Sequence, residues 1–179
     1  MTQPPRSEIA RAIVAGIDAL NERIGRAIAW LTLAMVLVVV AIVIGRYFFG
    51  FGAQWLTESV TWMHAAVFML GAAYTLRHDE HVRVDVFYRT ATARRRAWAD
   101  LAGTLLFLLP FCAFLLYEGI PYLLASWRIG EGSREAGGLP ALYLLKGLIP
   151  LAAALLALQG CALLLRSVLV LTGARADRH

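Results

Sequence analysis

A glutamate, a lysine and a short run of mixed charge carry most of the chemistry open to this 179-residue chain. Glu58 closes the stretch W-L-T-E that begins at Trp55, at the head of a long apolar block, and Lys146 lies inside another such block. The run His78-Asp79-Glu80-His81, followed by Asp85, fills the gap between two blocks. An ionisable group in or at the mouth of a membrane span is expensive to hold, so each of these is a candidate for function. Glu58 has three open readings. It can pair with Arg46 across the Gly50–Gly52 turn or meet a partner. It can cap its own helix, where the helix dipole favours a carboxylate by about 0.3–1 kcal/mol. It can also carry protons, as the single membrane carboxylate of a small exporter. Pairing or partner contact is the leading reading. Lys146 can snorkel along its alkyl stem or pair with Glu118, Glu131 or Glu135. Pairing is favoured, since Glu118 needs a partner for the same reason.

His78, Asp79, Glu80, His81 and Asp85 are metal-ligand residue types. Zinc, however, takes three or four ligands at defined spacing. Arg77 and Arg83 crowd this cluster, and no ligand-rich segment elsewhere completes it. A solvated loop that touches a partner is the better reading. His64 is the one histidine within an apolar block, so a haem held between two buried imidazoles lacks its second ligand. Cys112 and Cys161 both lie in apolar blocks and form no C-x-x-C motif. The phosphate-binding G-x-x-x-x-G-K-[ST] loop, the G-x-S-x-G elbow and the H-E-x-x-H zinc motif are not in the sequence. No catalytic, cofactor or metal site is expected, and the chain does not read as an enzyme.

The elements that must position these residues are membrane helices. Apolar residues make up 60% of the chain and its mean hydropathy is +0.66, against about 45–50% apolar in soluble domains. Four blocks reach the roughly 20 residues that a span requires. Their expected ranges are 27–46, 55–76, 98–124 and 139–171, within a membrane domain of residues 27–171 and ahead of a tail at 172–179. Ahead of them, Ile9, Ile13, Ile17, Leu20 and Ile24 recur at helical spacing among Glu8, Arg11, Asp18, Glu22 and Arg23. That pattern predicts a separate amphipathic helix over residues 1–26, lying in the cytoplasmic interface or packed on a partner. The fold class is therefore an all-α integral membrane protein, a tilted four-helix bundle with an N-terminal interfacial helix. Thr92 is a candidate N-cap for the third span. Pro110 predicts a kink in it, and Pro150 one in the fourth.

Charge sets the expected orientation. Arg6, Arg11, Arg23 and Arg26 precede the first span. The loop after the second carries Arg77, Arg83, Arg89, Arg94, Arg95 and Arg96, and the C-terminal end carries Arg166, Arg175 and Arg178. The other two loops hold only Arg46, Arg128 and Arg134. By the positive-inside rule both termini are expected in the cytoplasm of a multi-pass bacterial inner-membrane protein. Arg94-Arg95-Arg96 sits at the mouth of a span, where the same rule explains it without nucleic acid. The partners expected on these grounds are membrane lipid and other membrane chains.

The order R-Y-F-F-G, W-L-T-E and G-A-A-Y-T-L-R-H-D-E-H-V-R-V-D resembles the small membrane subunit of the tripartite ATP-independent periplasmic (TRAP) transporters. The matching residues are Arg46, Tyr47, Trp55, Glu58, Gly71, Leu76, His81, Val82, Val84 and Asp85. A weaker echo follows in Gly130 to Ser133, Pro140, Lys146, Pro150 and Gln159-Gly160. The resemblance runs from Trp30 to Leu171. It implies a scaffold for a large sodium-coupled permease subunit in a 1:1 complex. That complex would take up an organic acid delivered by a periplasmic solute-binding protein, with the substrate and sodium sites on the large subunit. The resemblance and the residues' own chemistry together make Arg46, Trp55, Glu58, His81, Asp85, Glu118, Glu131 and Lys146 the structural or partner-interface candidates. Two other classes stay open on the residues alone: a self-sufficient proton-coupled exporter using Glu58, and a membrane anchor of a respiratory complex.

Overall fold

The computed structural model describes residues 5–78 and 91–173, with side chains from residue 7 onward. The expectations for His81, Asp85 and the tail from residue 174 fall outside these residues. Five α-helical segments make four long rods. Helix α1 is Pro5–Phe49, α2 is Gln54–Arg77, α3 is Ala93–Gly103, α4 is Leu109–Arg128 and α5 is Leu142–Leu171. A π-helical turn, Thr104–Leu108, joins α3 to α4, so the third rod runs unbroken over Ala93–Arg128. All four rods are long and apolar enough to cross a membrane, and no strand is found among the described residues.

Helix α1 corrects one expectation. Residues 5–26 do not form a separate interfacial helix; the amphipathic stretch and the first span are one 45-residue rod, about 68 Å long at 1.5 Å per residue. No proline or glycine pair interrupts the sequence between Ile24 and Trp30, so nothing forces a turn there. The polar stripe that reads as a wet face is instead turned onto α2 and α5. Gly25 allows the approach: a Cβ there would lie 2.1 Å from the Tyr74 ring of α2. At the far end Gly50 turns the chain at φ +60°, and the Phe51 N–H returns to the Gly45 carbonyl at 2.9 Å.

Thr92 does cap α3, its hydroxyl accepting from the Arg95 N–H at 3.4 Å. Pro110 has no N–H to donate and its ring crowds the preceding turn. The helix widens just ahead of it, the Leu109 N–H reaching back five residues to Thr104. A π turn of this kind accommodates a misfit without breaking the rod.

Helix α5 is the hub, packing against α1, α2, α3 and α4, while the α1–α2 hairpin and the α3–α4 rod lie on its opposite flanks. Ala153, Gly160 and Ala162 are among its buried residues. Small side chains let helix backbones approach closely, which is how membrane helices gain packing energy when lipid is as apolar as leucine. Outward, the bundle is greasy: Trp30, Val36, Leu37 and Val40 on α1, Phe68 on α2, and Phe107, Phe111, Phe114 and Tyr117 along the third rod are exposed. In water such a surface would aggregate; in a bilayer it is the solvent-facing surface.

Candidate functional site

Two polar layers close the ends of this apolar bundle. At the hairpin end, the loop between α4 and α5 folds down onto the start of α2. Gly130 and Gly137 take left-handed backbone angles, and so does Ala141 at the head of α5. The loop ties itself together through Ser133 N–H to the Leu139 carbonyl at 3.0 Å and Leu142 N–H to the Glu131 carbonyl at 2.7 Å. Glu58 then fastens it from below. The Ser133 hydroxyl donates to Glu58 Oε1 at 2.5 Å, and the Leu139 N–H donates to Oε2 at 2.7 Å. Gly138 is a requirement of this clasp, because a Cβ there would fall 2.4 Å from Ser133 Oγ and 2.6 Å from Glu58 Oε1.

The expected Arg46–Glu58 pair is not formed. Both carboxylate oxygens are taken by the loop, and among the described residues Arg46 has no acidic partner. Lys146 is paired, with Glu131 rather than Glu118. Its Nζ donates to Glu131 Oε2 at 2.5 Å and stands 4.2 Å from the centre of the Tyr122 ring. Lys146 and Glu131 keep only 14% and 20% of their side-chain exposure, so the pair is shielded from bulk water. The Lys146 ammonium holds the Glu131 carboxyl below its ordinary range. Glu118 is exposed on α4 and Trp55 is exposed in the first turn of α2.

At the opposite end α1 supplies the acids. Asp18 pairs with Arg166 of α5, and Glu22 pairs with Arg77 of α2. Glu22 also meets Arg26 at 2.7 Å and His78 Nε2 at 3.1 Å. Between them sits a buried amide pair. Asn21 Nδ2 donates to Gln159 Oε1 at 2.7 Å, and Gln159 Nε2 donates to Asp18 at 3.1 Å. Asn21 and Gln159 are each 1% exposed, a depth at which losing these bonds would be costly, and Asn21 Oδ1 is buried without a hydrogen-bond partner. Sequence reasoning marked Asp18 and Glu22 as the polar face of an interfacial helix, counted Arg166 only among the charges of the C-terminal end, and gave Asn21 no role. The signal was there: Asp18, Asn21 and Glu22 at helical spacing form a polar seam in an otherwise apolar chain.

The two layers fit one bilayer. Along α2 the rise from Glu58 to Arg77, and along α5 that from Lys146 to Arg166, is about 28–30 Å, close to the hydrocarbon thickness of about 30 Å. The arrangement can hold helices in register, but it offers no cluster for metal: no group of three His, Cys, Asp or Glu that could hold an ion occurs among the described residues. Both cysteines are free.

The family model described as the DctQ component of tripartite ATP-independent periplasmic transporters matches residues 35–170. The chain belongs to that family. As a DctQ component it is the small permease subunit of a TRAP transporter, whose partners are a large permease subunit and a binding protein. The matched region holds the whole hairpin-end clasp and the α5 side of the opposite layer, whereas Asp18, Asn21 and Glu22 precede it. No curated protein and no solved structure matches the chain.

Proposed function

We propose that this chain is the scaffold of a sodium-coupled TRAP transporter, bracing the large permease subunit in a 1:1 complex. The complex takes up an organic acid handed over by a periplasmic binding protein. The observation that carries this reading is α5, a central strut tied to its neighbours by polar contacts at both ends. Its flanking rods turn apolar faces outward. A brace needs that combination: internal stiffness, and a greasy exterior for lipid and partner helices. Glu58 serves as a clasp for the loop, a role that engages both its oxygens and leaves proton carriage without support.

The Lys/Arg imbalance supports a chain in the bacterial inner membrane with both termini cytoplasmic. The loop of residues 129–141 then faces the periplasm, where Arg134 and Glu135 are exposed and suited to weak electrostatic steering of a soluble protein. Single cysteines at Glu135 and Arg94, in a background lacking Cys112 and Cys161, test the orientation. An impermeant thiol reagent on spheroplasts should label Glu135→Cys and spare Arg94→Cys; the reverse pattern would invert the assignment.

A further inference from the structure

With Glu58 held by the loop, Arg46 is left facing a cavity of about 220 Å³ at the hairpin end. Ala41, Ile42 and Arg46 of α1 line one side; Gln54, Leu56 and Thr57 of α2 line the other. The cavity is thus polar around a cation and apolar where α1 descends toward the bilayer. The start of α2 adds to its character, because Ala53 provides no side-chain cap and the first N–H groups of a helix lack intrahelical acceptors. Beside it stand Tyr47, Phe48, Phe49 and Phe51, all exposed, Tyr47 at 81%. Aromatic residues gathered at a helix end belong to the boundary between headgroups and acyl chains.

We infer that the Arg46 cavity binds the phosphodiester of an anionic phospholipid headgroup. Arg46 meets the phosphate, Thr57 offers a hydrogen bond beside Gln54, whose side chain also bonds Glu58, and Ala41 with Ile42 receives the first part of an acyl chain. A guanidinium suits this ligand because its fixed donors match phosphate oxygens and its charge persists at any physiological pH. The rival occupant is an acidic side chain of the large subunit. The aromatic belt at the same level favours the lipid, since it places Arg46 at headgroup depth.

Native mass spectrometry of the purified full-length chain in micelles, titrated with phosphatidylglycerol, tests the assignment. Arg46→Gln should weaken the lipid adduct about fivefold or more, the scale of one basic residue acting on an anionic lipid. Arg46→Lys, which keeps the charge but loses the fixed fork of donors, should bind between the parent and Arg46→Gln. Arg128→Gln, which removes an exposed cation of the same end, should leave it unchanged. Inorganic phosphate and glycerophosphoglycerol should compete poorly at the lipid's concentration. Undiminished lipid binding in Arg46→Gln would overturn the inference, and so would equal loss in Arg46→Lys and Arg46→Gln. Equal competition by the soluble phosphates would make this a free-anion site and overturn the lipid assignment. If Arg46→Gln keeps its lipid but no longer co-purifies with the co-expressed large subunit, Arg46 belongs to a partner carboxylate and the lipid assignment is overturned.

Discussion

Glu58, in the first turns of α2, accepts a hydrogen bond from the backbone N–H of Leu139, 81 residues later, at 2.7 Å. The contact ties the loop ahead of α5 to the opposite hairpin, and with the Ser133 hydroxyl it engages both oxygens of the carboxylate. Any account of the hairpin end has to begin from this clasp, because it releases Arg46 for other work.

The first expected outcome concerns those two residues. In Arg46→Ala, Glu58→Ala and the double variant, measured as thermal stability in micelles, the effects should add. Residues without a shared interaction contribute independently. Coupling beyond error would mean that Arg46 and Glu58 do interact.

Gly138→Ala should open the same clasp without removing any polar group. Its new Cβ would displace Ser133 Oγ and Glu58 Oε1, and overpacking of this kind costs about 1–3 kcal/mol. Limited proteolysis should cut the loop of residues 129–141 faster than in the parent chain. Adding Ser133→Ala to Gly138→Ala should recover little, because the Glu58 oxygen still stands in the way.

How much of this was legible in the sequence divides by distance along the chain. The four rods were, since unbroken apolar length is a local property. So was the need for a partner at Lys146, because a lone ammonium among apolar neighbours demands an acid, but spacing alone did not separate Glu131 from Glu118 or Glu135. The clasp on Glu58 was hidden because one donor is a backbone N–H, which no side-chain pattern announces. The continuity of α1 was hidden for another reason. Asp18, Asn21 and Glu22 have the spacing of a wet face, and the same spacing serves a seam against another helix. Their partners Arg77, Gln159 and Arg166, 55 to 148 positions further on, decide between the two.

That seam yields a direct energetic expectation. Interhelical hydrogen bonds in membranes average about 0.6 kcal/mol and reach about 1.7, and the burial of Asn21 and Gln159 puts their pair at the upper end. A double-mutant cycle with Asn21→Ala and Gln159→Ala should show a coupling of about 1–1.7 kcal/mol. A coupling near zero would mean the amides do not bond.

The Glu131–Lys146 pair carries a pH signature. The Lys146 ammonium lowers the Glu131 carboxyl in the folded chain, so folding favours the ionised form. The stabilisation is complete above the ordinary carboxylate value near 4.5 and is lost as the pH falls through the lower folded value. Melting curves of the parent and Glu131→Gln should therefore differ at pH 6 and converge in more acid solution. A gap that stays constant down to pH 3 would remove the pair as its cause.

The central claim is that this chain braces a transporter and is not one itself. Sodium-driven solute uptake into proteoliposomes tests it, with the large permease subunit and its binding protein reconstituted with or without this chain. The account predicts uptake only when both membrane chains are present, and none from this chain with the binding protein alone. Uptake by this chain and the binding protein without the large subunit would contradict it.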